Sequence, residues 1–222
     1  MIALIRRSYC CILRVLDLAS VVVFAITGAL VASRKQMDIV GFLWMGVITG
    51  VGGGTLRDLL LDVPVFWVVD PTPLALCLCA AGLVHFSAHL VASRYRFLLY
   101  LDAFGMALVT TVGTAKALDM GTGALVAVGM GVVTAAVGGI LRDILGQEPS
   151  ILLRRDIYVT AAVFGSSTYV LADVMGVPGT LSTALAVCAG FGLRACAIRF
   201  DLFLPIFRPR PGRMPGHRGE VR

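Results

Sequence analysis

The chain has 222 residues, of which 58% are hydrophobic and only 14% are charged, and its mean hydropathy is +0.91. Because soluble domains carry about 25% charged residues, this composition excludes an ordinary water-soluble core and indicates a membrane protein. The net charge of +6 does not indicate nucleic-acid binding, since the basic residues lie between apolar segments and in the C-terminal tail rather than in one clustered patch.

Seven segments are long and apolar enough to cross a bilayer as helices, a crossing that takes about 20 residues. In chain order they cover residues 16–33, 39–61, 72–92, 98–118, 123–145, 157–173 and 179–198. The preceding residues contain Arg6 and Arg7 and resemble the basic start of a signal peptide. Residues 201–222 are rich in proline and arginine and are predicted to form a disordered basic tail. The sequence therefore predicts an all-α membrane protein with seven transmembrane helices.

Positive charges in alternate loops predict how these helices are oriented in the membrane. One side carries basic residues at 34–35, 94–96 and 154–155 and in the tail, whereas the other side has only those at 6–14. We therefore expect the C-terminus in the cytoplasm and the N-terminus outside.

The chain contains an internal repeat. A shift of 85 residues aligns 17–64 with 102–149 without a gap, and 14 of the 48 aligned pairs are identical. Composition alone would give about four identities. The identities are concentrated where GGGTLRDLLLDVP (52–64) lies over VGGILRDILGQEP (137–149). The first span pairs with an internal helix, so we expect it to belong to the fold rather than to a cleaved signal peptide.

Each copy of the repeat contains three predicted spans. Because three is an odd number, the second copy must cross the membrane in the opposite sense, which is the inverted-repeat design of many transport proteins. The predicted units are an N-terminal segment (1–15), a first repeat (16–95), a second, inverted repeat (96–175), a seventh helix (176–200) and the tail (201–222).

Consecutive glycines lie near mid-membrane in the second and fifth spans. Each glycine weakens a helix by about 1 kcal/mol relative to alanine, so we expect a kink or an unwound turn there. Freed carbonyl oxygens would then line an aqueous ion path together with threonine hydroxyls. The alternative is that the glycines serve only close helix packing. The candidate path residues are Thr49, Gly52, Gly53, Gly54, Thr134, Gly138 and Gly139.

Charged residues follow both glycine segments, as Arg57-Asp58 and as Arg142-Asp143. A charge within a span costs at least about 2.5–3.5 kcal/mol at the centre of the bilayer and less toward its ends. We expect the two arginines to bracket the path, with the aspartates helping to hold them. The alternative is that they are ordinary helix-end charges. Lys116, near the end of the fourth span, either gates the path or extends to the outer interface.

Other reactive residues indicate no catalytic or metal site. Most of the six cysteines lie in apolar segments, where cysteine behaves as a small hydrophobic residue. The three histidines do not cluster with them, and motifs such as GxSxG, HExxH and the P-loop are missing from the sequence. We therefore predict no enzymatic activity, no cofactor and no metal.

The segment GGGTLRDLLL followed by PVFW, repeated as GGILRDIL, resembles the prokaryotic trimeric intracellular cation channels. That family shares a sequence domain also named a glycine transporter, and the resemblance covers about residues 15–200. It implies a homotrimer with one pore per protomer, shaped by glycine breaks in the second and fifth helices and permeable to potassium and less well to sodium. It also implies that a basic residue of the fourth helix takes part in gating, for which Lys116 is the candidate. Val137 replaces the first glycine of the second motif, so we expect a tighter break there.

Two functions agree with these features. A passive monovalent cation channel is the first hypothesis, and a secondary transporter of a small solute such as glycine is the second. Inverted repeats and broken helices serve both classes of protein, so the sequence alone leaves them open.

Overall fold

The structure, a computed structural model, describes the backbone of residues 2–91, 95–148 and 157–204 and the side chains of 11–87, 96–148 and 157–204. Within these residues the chain forms eight α-helices. They are α1 (Ile2–Arg34), α2 (Ile39–Leu60), α3 (Phe66–Val69), α4 (Thr72–Val91), α5 (Tyr95–Asp119), α6 (Ala124–Leu145), α7 (Val159–Val174) and α8 (Gly179–Arg199).

All seven predicted segments are helical, and α3 is a short addition between the second and third. Five of the helices, α1, α2, α5, α6 and α8, are long and apolar enough to cross a membrane. The stretches Thr72–Ser87 and Val159–Val174, in α4 and α7, are apolar and shorter. The chain is thus an all-helical membrane protein. Helix α1 begins at Ile2, so the predicted N-terminal segment is continuous with the first span.

The helices of each half of the chain pack together in the same way. In the first half α1, α2 and α4 contact one another, and in the second half α5, α6 and α7 do so. The two halves meet through the pairs α1–α5 and α2–α6, and α8 lies against α5 and α7. Helices α1, α2, α5 and α6 therefore form the centre of the bundle.

Turn geometry also recurs at the 85-residue spacing. Gln36 and Gly121, which follow α1 and α5, both have a positive φ, and so do Asp62 and Gln147, which follow α2 and α6. Non-glycine residues seldom adopt this left-handed conformation. Its recurrence at matching positions shows that the helices of the two halves end in the same way.

Close approach of the helices depends on glycines at equivalent positions. A Cβ added to Gly28 on α1 would lie 2.6 Å from Thr49 Oγ1, and one added to Gly113 on α5 would lie 2.8 Å from Thr134 Oγ1. Both distances are too short for a real side chain. These two glycines therefore let α1 pack directly on α2, and α5 on α6.

Some predictions concern residues that the structure does not describe. The orientation prediction depends on Arg94, Arg154, Arg155 and the tail, and these lie outside the described residues, apart from positions 201–204 of the tail.

Candidate functional site: the α2–α6 seam and its charge clusters

Helices α2 and α6 cross antiparallel, and we call their contact the α2–α6 seam. Added Cβ atoms show how closely the backbones approach: one on Gly53 would clash with the carbonyl oxygen of Thr134, and one on Gly138 would lie 2.7 Å from that of Thr49. Thr49 and Thr134 are buried, and their hydroxyls donate to the carbonyl oxygens of Met45 and Met130, one turn earlier. The seam thus consists of threonines and glycines from equivalent positions of the two halves.

The sequence predicted a kink or an unwound turn at the glycines, and the unwound turn is wrong for this structure. Helix α2 is continuous from Ile39 to Leu60 and α6 from Ala124 to Leu145. The physical reason is that missing side chains let the two backbones pack against each other, and this packing offsets the low helix propensity of glycine. Unwinding therefore frees no carbonyl oxygen at these positions.

The remaining predicted glycines contact other groups. A Cβ on Gly52 would lie 2.7 Å from Leu141 Cδ1, and one on Gly54 would lie 2.7 Å from the ring of Phe66. Gly139 is buried in α6. Gly53 and Gly138 thus each lie where an added Cβ would meet the backbone of the opposite helix.

The first charge cluster consists of Asp17, Arg57, Asp58 and Lys116, at the end of α2. Arg57 Nε lies 2.8 Å from Asp58 Oδ1, and Nη1 lies 3.3 Å from Asp17 Oδ1. Lys116 Nζ, from α5, lies 2.7 Å from Asp58 Oδ1. The side chains of Arg57 and Asp58 are fully buried, whereas those of Asp17 and Lys116 are 21% and 30% exposed.

Two further contacts position the first charge cluster. The backbone N–H of Phe66, at the start of α3, donates to Asp58 Oδ2 over 2.9 Å. The ring of the same phenylalanine lies 5.6 Å from the Arg57 guanidinium carbon, which is a cation–π distance. Asp58 therefore accepts from three donors on three different helices.

The second charge cluster consists of Asp102, Arg142 and Asp143, at the end of α6. Arg142 Nη1 lies 2.5 Å from Asp102 Oδ1, and Nη2 lies 3.0 Å from Asp143 Oδ1. No side chain of this cluster is more than 4% exposed. Because α2 and α6 are antiparallel, the two clusters lie at opposite ends of the seam, about 15 Å apart along the helices.

The expectation that the aspartates hold the arginines agrees with these contacts, and each adjacent Arg-Asp pair is a direct ion pair. Backbone positions one residue apart point in different directions on a helix, but the long arginine side chain bends back to its neighbour. Ordinary helix-end charges would be solvated, whereas both arginines are buried. Lys116 likewise turns toward Asp58 instead of extending outward.

Comparisons with known proteins show what the chain is similar to. A family model described as Glycine transporter matches residues 14–89 and again residues 99–173. The inner membrane protein YadS of Escherichia coli (strain K12) is 40% identical over 195 residues, which are 86% of this chain and 94% of YadS.

Solved structures are similar over nearly the same range. A TRIC trimeric intracellular cation channel orthologue from Rhodobacter sphaeroides is 48% identical with a TM-score of 0.84, and the match covers 86% of this chain and 99% of that one. A prokaryotic TRIC channel crystallised in 0.5 M KCl is 26% identical with a TM-score of 0.81, over 87% of this chain and 98% of that one. The chain belongs to the TRIC channel family. These relatives are channels or membrane proteins, not enzymes.

Some residues of this TRIC-family site were not among the predicted site residues. Asp17 and Asp102 contact the arginines of the two clusters, and their identity across the 85-residue repeat is a signal that could have identified them. Tyr158 is fully buried, and its hydroxyl donates to the carbonyl oxygen of Ala135 over 3.1 Å. The guanidinium carbon of Arg194 lies 5.6 Å from the Tyr158 ring. Neither residue falls in the 48 aligned pairs, so the repeat carried no signal for them.

A cavity of about 430 Å³ adjoins the first charge cluster, and we call it the α1–α3 cavity. One face of α1 lines it, together with the connection from α2 to α4. Its lining residues are Arg14, Asp17, Leu18, Pro64, Phe66, Val69, Asp70 and Pro73. Asp17 and Phe66 belong to this lining and also contact the buried Arg57, so they connect the cavity to the cluster.

Proposed function

We propose that the chain is a monovalent cation channel, permeable to potassium and also to sodium, with one ion path in each protomer of a homotrimer. The observation that carries the proposal is the α2–α6 seam with a buried charge cluster at each end, in a chain 48% identical to a solved TRIC channel orthologue. The trimer is inferred from the description of that relative as trimeric.

Burial of the charges supports a functional rather than a merely structural role for the clusters. Buried ion pairs add little net stability, because removing both charges from water costs about as much as their attraction returns. Charges inside membrane helices usually mark ion or substrate pathways. Here two of them, Arg57 and Arg142, lie at opposite ends of one seam.

The path that we propose follows the seam between the clusters. Hydroxyl and carbonyl oxygens are ligands that replace the water of a monovalent cation. Thr49 and Thr134 supply such oxygens, and Gly53 and Gly138 leave the adjoining carbonyls uncovered by side chains. In the described conformation the helices touch along this line, so conduction requires α2 and α6 to separate.

We further propose seven transmembrane helices arranged as two inverted three-helix repeats plus α8. Supporting observations are the equivalent helix contacts in the two halves, the recurring positive φ values and the two family-model matches, which begin 85 residues apart. Loop charges favour a cytoplasmic C-terminus in a bacterial inner membrane, the location given for YadS.

Lys116 is our candidate gating residue. Its ammonium group joins α5 of the second half to Asp58 on α2 of the first half. Separation of these helices must break or stretch this ion pair. A change in membrane potential or in local ion concentration can act on a charged contact of this kind.

Single-channel recording from purified protein in a planar bilayer tests the proposal. We expect unitary current steps in potassium and in sodium solutions, with Arg57→Gln and Lys116→Gln changing the conductance or its voltage dependence. Arg199→Gln, which neutralises an exposed arginine at the end of α8, is the control and should behave as the unmodified chain.

Two outcomes would contradict the proposal. Saturable glycine flux without unitary steps would favour the carrier. Unchanged currents in both Arg57→Gln and Lys116→Gln would show that the first charge cluster does not border the path. Since Lys116 is partly exposed, its variant tests the path even where loss of a buried arginine impairs folding.

A further inference from the structure

The α1–α3 cavity carries charges of both signs. Arg14 Nη2 lies 2.5 Å from Asp70 Oδ2, and the side chains of the two residues are 70% and 32% exposed. Asp17 follows Arg14 by three residues on α1, so both side chains lie on one helix face. Two carboxylates and one guanidinium thus face the same space, within reach of solvent.

Hydrogen bonds and an ion pair favour the ionised form of Asp70. Its carboxylate accepts from the hydroxyl of Thr72 at 2.6 Å and from the backbone N–H of Thr72 at 3.0 Å. These hydrogen bonds, together with the Arg14 guanidinium, lower the pKa of Asp70 below its usual value. Asp70 therefore contributes a negative charge to the cavity.

Apolar side chains next to the cavity indicate that it lies at the level of lipid headgroups. Val68 and Val69 of α3 are 66% and 70% exposed, and Val15 of α1 is 59% exposed. The indole N–H of Trp67 donates to Thr55 Oγ1 over 2.8 Å, which anchors the aromatic end of α3 to α2. Tryptophan and exposed aliphatic residues next to charged ones are typical of the membrane–water interface.

We propose that the α1–α3 cavity binds the headgroup of a zwitterionic phospholipid that carries a primary amine. The phosphate would replace Asp70 as the partner of Arg14, whose planar guanidinium suits phosphate oxygens. The ammonium group would donate to Asp17 and Asp70. The acyl chains would follow the exposed valines toward the bilayer core.

Charge complementarity selects this occupant over other lipids. A purely anionic headgroup would leave Asp70 without a cation, since Arg14 can neutralise only one charge and Arg57 is the partner of Asp17. A choline headgroup has no N–H to donate to the carboxylates. A volume of about 430 Å³ lies within the range of small-ligand sites.

The test measures lipid retention by the full-length protein purified in detergent. Native mass spectrometry is performed after adding phosphatidylethanolamine, phosphatidylcholine or phosphatidylglycerol with identical acyl chains. We expect preferential binding of phosphatidylethanolamine. In Arg14→Gln and Asp70→Asn this preference should fall by about tenfold, the effect of losing one charged hydrogen-bonding group. Arg199→Gln, at the opposite end of the bundle, should retain it.

Three outcomes would overturn the proposal. The first is equal retention of the three lipids by the unmodified protein. The second is a phosphatidylethanolamine preference that survives in both cavity variants. The third is competition by free phosphoethanolamine as effective as that of the lipid itself, which would assign the cavity to a soluble zwitterion. If a neighbouring copy of the chain covered the cavity, it would exclude lipid, and the three lipids would then be retained equally.

Discussion

The two charge clusters share an aspartate, an arginine and a second aspartate at equivalent positions, yet they differ in solvent exposure. In the first cluster Asp17 is 21% exposed and lies 3.3 Å from Arg57, whereas in the second cluster Asp102 is 4% exposed and lies 2.5 Å from Arg142. Identical motifs therefore produce one cluster that is partly open to solvent and one that is closed. The residues around the motif therefore determine which cluster is open to solvent.

Neighbouring residues explain this difference. The position of Lys116, which adds a second cation to Asp58, corresponds to the buried Val31 in the first half. Tyr158, fully buried in the second half, corresponds at the same spacing to Pro73, which lines the α1–α3 cavity. A large aromatic ring thus fills the second half at a position where the first half has a smaller residue beside open space.

The halves also differ in polarity around a shared glycine. An added Cβ on Gly46 would meet Ala81, while one on Gly131 would lie 2.6 Å from Ser166 Oγ. Thr110 and Thr114 of α5 replace the alanines at positions 25 and 29 of α1. Among the residues that the structure describes, Thr110 Oγ1 and Ser166 Oγ are buried without a hydrogen-bond partner.

Replacing the arginine of each cluster should have the largest effect and should distinguish the two clusters most clearly. Arg142→Gln leaves Asp102 and Asp143 without their arginine in the closed cluster, so we expect a loss of about 3–5 kcal/mol in the free energy of unfolding. Arg57→Gln should lose less, because Asp17 is partly solvated and Asp58 keeps Lys116 and the Phe66 N–H. Denaturant unfolding in detergent measures both variants. Equal losses of unfolding free energy in the two variants would show that solvent exposure does not change what each arginine contributes to stability.

Glycine-to-alanine substitutions in the α2–α6 seam should lower stability by similar amounts in the two halves. Gly53→Ala and Gly138→Ala each place a methyl group against a backbone carbonyl of the opposite helix, so we expect losses of about 1–3 kcal/mol from overpacking. Gly129→Ala is the matched control on α6, because an added Cβ there has nothing within 4 Å. Thermal unfolding compares the three. A seam glycine as tolerant as Gly129 would mean that α2 and α6 are not tightly packed.

We expect the smallest change in stability from removing the buried hydroxyls of Thr110 and Ser166 in the second half. Thr110→Ala and Ser166→Ala convert these positions to the residues of the first half, and each removes a buried hydroxyl that lacks a partner. Stability should stay the same or rise by up to about 1 kcal/mol. The reciprocal change, Ala81→Ser, should lower it. A clear loss on removing either hydroxyl, in the same unfolding assay, would mean that it donates to another group.

Much of the fold could be predicted from the sequence because apolar length determines membrane helices. All seven predicted segments are helical, and the family prediction is confirmed. The candidate residues Arg57, Asp58, Arg142 and Asp143 were found because repeated charges in apolar segments are costly and therefore informative. Helix α3 was not predicted, because a four-residue helix is too short to show a helical pattern of apolar residues.

Contacts between distant segments could not be predicted in this way. The ion pairs of Arg57 with Asp17 and of Arg142 with Asp102 span 40 residues in the chain, and Lys116 reaches Asp58 across 58. The unwound turn was predicted from the low propensity of glycine alone. Packing of α2 on α6 reversed that preference, because the stabilising contact comes from a helix some 85 residues away.

The sequence by itself determined the membrane environment, the helices and the duplication, since each depends on local hydrophobicity or on internal similarity. Only the tertiary structure decided which cluster is open and which is closed. Hydration of a charge depends on every helix packed around it, and the Arg-Asp motif is the same in both copies. The difference between the halves lies in Lys116 against Val31 and in Tyr158 against Pro73, positions whose importance appears only when the helices are assembled.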